Sequence, residues 1–156
     1  MKDNKKFMAK AIELSISSSN TIGGPFGSVV VKDNEIISEG SNKVTSSNDP
    51  TAHAEVVAIR EACRKLNTFD LSECEIYTSC EPCPMCLSAI YWARIEKIYY
   101  ANTREDAKNI DFDDSFIYSE IPKKIDDRKI KMTQMLRDDA LKAFEIWDKK
   151  KDKIKY

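Results

Sequence analysis

Phe7, Met8, Ala11, Ile12 and Leu14 recur at helical spacing and predict an amphipathic helix over residues 3–18, with one apolar stripe turned to a sheet. Ser17-Ser18-Ser19-Asn20 and Gly23-Gly24-Pro25 break that pattern. Residues 26–32 and 35–39 then read as a β-hairpin turning at Asp33-Asn34. Val29, Val30 and Val31 form an unbroken apolar run, which suits a strand buried on both faces. Residues 40–50 are polar and turn-rich, a long loop of the kind that carries function. A second helix over 52–66 buries Val56, Ile59, Cys63 and Leu66.

The pattern beyond this point alternates. Residues 74–79 predict a strand, 84–94 a helix and 95–101 another strand, a unit that calls for parallel pairing through a crossover helix. Residues 104–114 look less regular. A fifth strand is expected at 130–135, followed by a helix with Leu136, Ala140, Ala143, Phe144 and Trp147 on one side. Helices alternating with strands imply a layered α/β domain. A length of 156 residues suits one domain with one substantial core, so residues 1–156 are expected to form a single domain.

Charge and cysteine usage narrow the class. Lys plus Arg number 25 against 26 for Asp plus Glu, which leaves no bulk field to hold nucleic acid, although residues 149–155 are locally basic. The five cysteines are odd in number, three of them lie within residues 80–86, and the N-terminal stretch is charged without an apolar signal core. A reduced, cytoplasmic metal protein is expected. No run approaches the roughly 18 apolar residues needed to span a membrane.

The candidate chemistry lies in His53-Ala54-Glu55 and in Cys80-Glu81-Pro82-Cys83-Pro84-Met85-Cys86. Zinc takes imidazole and thiolate ligands tetrahedrally, and a catalytic site keeps three protein ligands with the fourth position open. Cys83 and Cys86, three apart, become neighbours if a helix begins near Pro84, a residue favoured at the first helical position. In a regular helix His53 and Glu55 would face nearly opposite ways, so they must straddle a helix start, which Asp49 or Thr51 can cap. The spacing leaves two arrangements open. Cys80 could complete a closed Cys3His structural site, or it could stand apart, since its direction is set by the preceding strand.

His-x-Glu with Pro-Cys-x-x-Cys is the signature of zinc-dependent nucleobase deaminases. Together with Gly24-Pro25-Phe26-Gly27, Asn42, Asn48-Asp49-Pro50-Thr51-Ala52-His53-Ala54-Glu55, residues 78–86 and Phe112-Asp113-Asp114-Ser115-Phe116-Ile117-Tyr118, it makes the sequence resemble the bacterial guanine deaminases of the cytidine-deaminase-like superfamily. The zinc motif alone specifies the superfamily, which also holds tRNA adenosine and cytosine deaminases; residues 112–118 narrow it. The resemblance implies a three-layer α/β/α fold around a mixed sheet of about five strands. It implies one Zn2+ per chain on His53, Cys83 and Cys86, Glu55 as the catalytic proton carrier, and a purine base held by Phe26, Asn42, Ala54, Asp114 and Tyr156. It also implies a homodimer that exchanges segments of about residues 136–156. Another base, nucleoside or tRNA-adenosine deaminase is the alternative within enzymes, and a zinc-stabilised scaffold without turnover the alternative outside them.

Overall fold

The computed structural model describes residues 3–156. They fall into two compact units, Met1–Asp114 and Ser115–Tyr156.

In the first unit, Asp3 accepts a hydrogen bond from the Lys6 backbone and starts α1 (Asn4–Ser19). The hairpin follows as β1 (Gly27–Lys32) and β2 (Glu35–Ser41). Asp33 and Asn34 both adopt positive φ, 50° and 64°, as a tight turn between twisted antiparallel strands requires. A short helix α2 (Val44–Ser47) interrupts the polar loop, and α3 (Ala54–Leu66), β3 (Cys74–Cys80), α4 (Pro84–Trp92) and β4 (Lys97–Asn102) complete the main elements. Among the described residues the sheet has four strands in the order β2-β1-β3-β4. β1 pairs antiparallel with both β2 and β3, whereas β3 and β4 are parallel, as the intervening helix demands.

Val29, Val30 and Val31 are fully buried because their side chains alternate between two helical layers. Val29, Val31 and Tyr77 pack with Phe7 and Ala11 of α1 on one face. Val30 and Ile76 pack with Ala58, Ile59 and Ala62 of α3 and Ile90 of α4 on the other. The result is the expected three-layer α/β/α arrangement.

Residues 104–114 are more ordered than their pattern suggested. Thr103 and Asp106 form a reciprocal capping box, with Thr103 N–H donating to Asp106 Oδ2 at 2.8 Å, and this fixes a short helix α5 (Arg104–Lys108). The second unit holds α6 (Ser115–Glu120), a 3-10 turn over Ile125–Asp127 and α7 (Arg137–Lys149). Glu120 ties this unit together locally, accepting from Lys123 Nζ at 2.5 Å and from the Lys129 backbone at 2.7 Å. The fifth strand expected at 130–135 is not formed, and the sheet has four strands rather than five. Apolar residues in a short run do not make a strand without a ladder partner, and Ile130 and Met135 are exposed. Among the described residues no helix is long and apolar enough to cross a membrane.

Candidate metal centre and active site

Two helix starts converge on the candidate centre, and the same local geometry serves both. His53 is the N-cap of α3, with extended backbone (φ −66°, ψ 156°), and Cys83 is the N-cap of α4, again extended (φ −66°, ψ 168°). Neither side chain caps its own helix. Each residue thus stands outside its helix, which is how His53 shares a site with Glu55, two positions on in the first turn. Pro84 occupies the first turn of α4, where its missing N–H costs nothing. The positive ends of both helices face thiol and carboxyl groups, which favours their charged forms. Asp49 and Thr51 do not cap α3. Asp49 Oδ1 instead accepts from the Thr51 backbone N–H and hydroxyl, at 2.8 and 2.7 Å, a local turn that consumes the capacity a cap would need.

His53 Nδ1 lies 3.5 Å from Cys83 Sγ and 3.5 Å from Cys86 Sγ, and all three ligand atoms fall within 4.8 Å of one another. A tetrahedral zinc with bonds of about 2.3 Å to sulfur and about 2.05 Å to nitrogen would set S···N edges near 3.6 Å. The donor set therefore fits zinc in kind and in spacing. Cys80 is not in this group: its Sγ donates to the Thr103 carbonyl oxygen at 3.5 Å.

The thiols are strongly coupled. The hydrogen bond from Cys86, aided by His53, holds the Cys83 thiol down to about 4 in spite of burial. The bond to Cys83 and then burial push Cys86 upward, so Cys83 carries the thiolate and Cys86 the proton. His53 is raised, first by its hydrogen bond to Cys83. Burial pushes Cys80 up to about 11, with the charge of Glu55 adding to it.

Glu55 is 6 % exposed, and burial raises its carboxyl group above the ordinary range. Thr78 Oγ1 donates to its Oε1 at 3.0 Å, and Cys86 Sγ lies 3.4 Å from its Oε2. The Thr78 contact was not expected from the sequence. Its signal is a polar side chain on the α3-facing side of β3, in alternation with Ile76.

The remaining predicted residues are placed as follows. Phe26 is half-buried just before β1, and its ring meets Phe112 edge to face, with centroids 5.0 Å apart and planes at 90°. Asn42 follows β2 and is buried. Its backbone N–H donates to the Phe26 carbonyl at 3.2 Å, and its Oδ1 accepts from the Val44 N–H at 3.2 Å. Ala54 is fully buried in the first turn of α3. Asp114, half-buried at the end of the first unit, has its carboxyl raised by desolvation and then by the charge of Cys83. Tyr156 is the last residue of the second unit, and its ring is exposed.

Residues 1–102 match the family described as the cytidine and deoxycytidylate deaminase zinc-binding region. The chain is 50% identical to guanine deaminase of Bacillus subtilis over 155 residues, 99% of each chain. A crystal structure of guanine deaminase from the same organism superposes with a TM-score of 0.95 over 99% of both chains. A solved guanine deaminase of Nitrosomonas europaea is similar at 32% identity, with a TM-score of 0.69 over 73% of this chain and 66% of that one. The tRNA-specific adenosine deaminase of Aquifex aeolicus is 52% identical over 77 residues, 49% of this chain and 51% of its own.

Proposed function

The chain belongs to the zinc-binding cytidine and deoxycytidylate deaminase family, and from this premise we infer that it deaminates guanine hydrolytically to xanthine and ammonia. The observation that carries the substrate is coverage. An adenosine deaminase reaches similar identity over about half the chain, but likeness to a guanine deaminase continues through residues 103–156.

His53, Cys83 and Cys86 would hold the zinc. When bound, zinc supplies Lewis acidity that makes water a better nucleophile near neutral pH. Two thiolates neutralise its charge and leave this effect weaker than with neutral imidazoles, so the protein must provide a proton acceptor. Glu55 is that group. Its carboxylate takes a proton from the attacking water, passes it to a ring nitrogen beside C2, and helps protonate the departing amine as the C2–N bond breaks and the C2–O bond remains. Burial suits this double duty, because raising the carboxyl makes its ionised form a stronger proton acceptor. Phe26 stacks on the base with Ala54 beside it, and Asn42 and Asp114 hydrogen-bond its polar edges.

The assembly we propose is a homodimer in the cytoplasm that exchanges segments of about residues 136–156, each Tyr156 closing the partner's site. Apolar surface on both units supports it: Tyr91 and Trp92 of α4 are 75% and 70% exposed, as are Phe144 and Ile146 of α7 at 74% and 72%. The free state of the five cysteines suits a reducing compartment.

The decisive experiment assays ammonia release by the zinc-loaded protein from guanine, guanosine, adenine, cytosine and tRNA. Preference for guanine is expected, and preference for tRNA or cytosine would overturn the reading. For exchange, a Glu55→Gln chain is refolded together with a chain shortened after residue 148. Recovered turnover is expected, because a mixed dimer assembles one complete site, and its absence would refute the exchange.

A further inference from the structure

Thr78 is buried in the sheet. It is 1% exposed, and its backbone is clamped between Ser28 of β1 and Tyr100 of β4. Ile76, two residues earlier on the same face, belongs to the apolar core with α3 and α4. A hydroxyl buried there costs free energy unless it is hydrogen-bonded, whereas valine would fill the same space without that cost. Packing therefore does not call for the hydroxyl, and Glu55 does. Thr78 Oγ1 donates to Glu55 Oε1 at 3.0 Å, both groups being buried.

We propose that Thr78 is a positioning residue for the deamination: its hydroxyl fixes the rotation of the Glu55 carboxylate so that Oε2 stays turned toward the ligand cluster. The terminal torsion of a glutamate is broad and roughly two-fold, so the backbone of α3 does not set the plane of the carboxylate. A donor held by the sheet does. Among the described residues, the side-chain donors on this carboxylate are Thr78 on Oε1 and Cys86 on Oε2. A cysteine that ligates metal is a thiolate and has no proton to give. Thr78 is then the side-chain donor that remains. The bond also joins the helix that presents His53 and Glu55 to the strand that leads into Cys83.

The inference rests on Glu55 as proton carrier, and the test keeps the two apart. Thr78→Val, Thr78→Ser and Glu55→Gln are compared with the parent for zinc content, thermal midpoint, and kcat and KM on guanine, and crystal structures of the two Thr78 variants record the Glu55 carboxylate. Thr78→Val is expected to keep its zinc, to lower kcat by about 10- to 100-fold with little change in KM, and to show the carboxylate rotated. Thr78→Ser is expected to recover most of the lost kcat and the parent orientation. Equal impairment in Val and Ser, or full activity in Val beside an inactive Glu55→Gln, would overturn the inference alone. An undiminished Glu55→Gln would overturn the assignment of Glu55 and the inference with it.

Discussion

Phe112 meets Phe26 edge to face at a centroid distance of 5.0 Å, so one aromatic ring braces the other at the edge of the proposed base site. Such a pair is worth about 0.5–1.5 kcal/mol beyond its buried area. Phe112→Ala frees Phe26 to move, and KM for guanine should rise roughly 2- to 10-fold with zinc content unchanged. Steady-state kinetics on the variant check this, and an unaltered KM would mean that Phe26 is held by its backbone alone.

Gly40 lets β2 approach the first turn of α3. A Cβ there would lie 2.2 Å from the Ala54 carbonyl oxygen and 2.7 Å from the Ala58 nitrogen, backbone atoms that cannot swing aside. Gly40→Ala must push α3 outward, at a cost of about 1–3 kcal/mol typical of overpacking. A fall in thermal midpoint of roughly 3–10 °C is expected. Because that turn carries Glu55, kcat should fall as well. A variant with the parent's midpoint would show that β2 yields instead.

The sequence and the structure agree where local chemistry has one outcome. Asp33-Asn34 specifies a tight turn, and Val29, Val30 and Val31 can only be buried on both faces. The helix starts at His53 and Cys83 were legible for a different reason: His53 and Glu55, two apart, cannot serve one site from within a regular helix, and Pro84 favours the first helical position. Competition among local bonds was harder to read. Asp49 looked like a cap for α3 but is consumed by Thr51, and residues 104–108 looked irregular until the pairing of Thr103 with Asp106 supplied a capping box. Residues 130–135 had the composition of a strand. A strand is completed by a neighbour, which composition does not specify.

Removal of the metal should separate the cysteines. At pH 7 Cys83, held down to about 4, is thiolate, and Cys80, pushed up to about 11, is thiol. Alkylation needs the thiolate. In chelator-treated protein iodoacetamide should therefore label Cys83 well before Cys80, and added zinc should protect Cys83. By the same assignment Cys83→Ala should lose zinc and Cys80→Ala should keep it. Mass spectrometry of labelled peptides and metal analysis check both, and a Cys80→Ala protein without zinc would make the centre a closed structural site.

Asp114 should separate guanine from adenine. Guanine presents ring N–H donors where a carboxylate can accept, whereas adenine offers a bare acceptor at N1. A carboxylate facing that acceptor is left unpaired, and a site built to bond a substrate N–H can reject an analogue lacking it by roughly 10⁴-fold. Desolvation makes the mismatch costlier, because it already disfavours the charged form of Asp114 and raises its carboxyl group. The sign follows: the accepting form is the ionised one, so guanine binding through Asp114 should weaken as pH falls through its raised pKa. Asp114→Ala should lose most guanine turnover with its zinc intact, and should lose this limb of the pH profile of kcat/KM. The parent should show little adenine activity. Steady-state turnover of both purines by parent and variant decides the matter: equal rates on the two purines in the parent, or an Asp114→Ala protein unimpaired on guanine, would remove Asp114 from recognition and return the adenosine and cytosine alternatives to consideration.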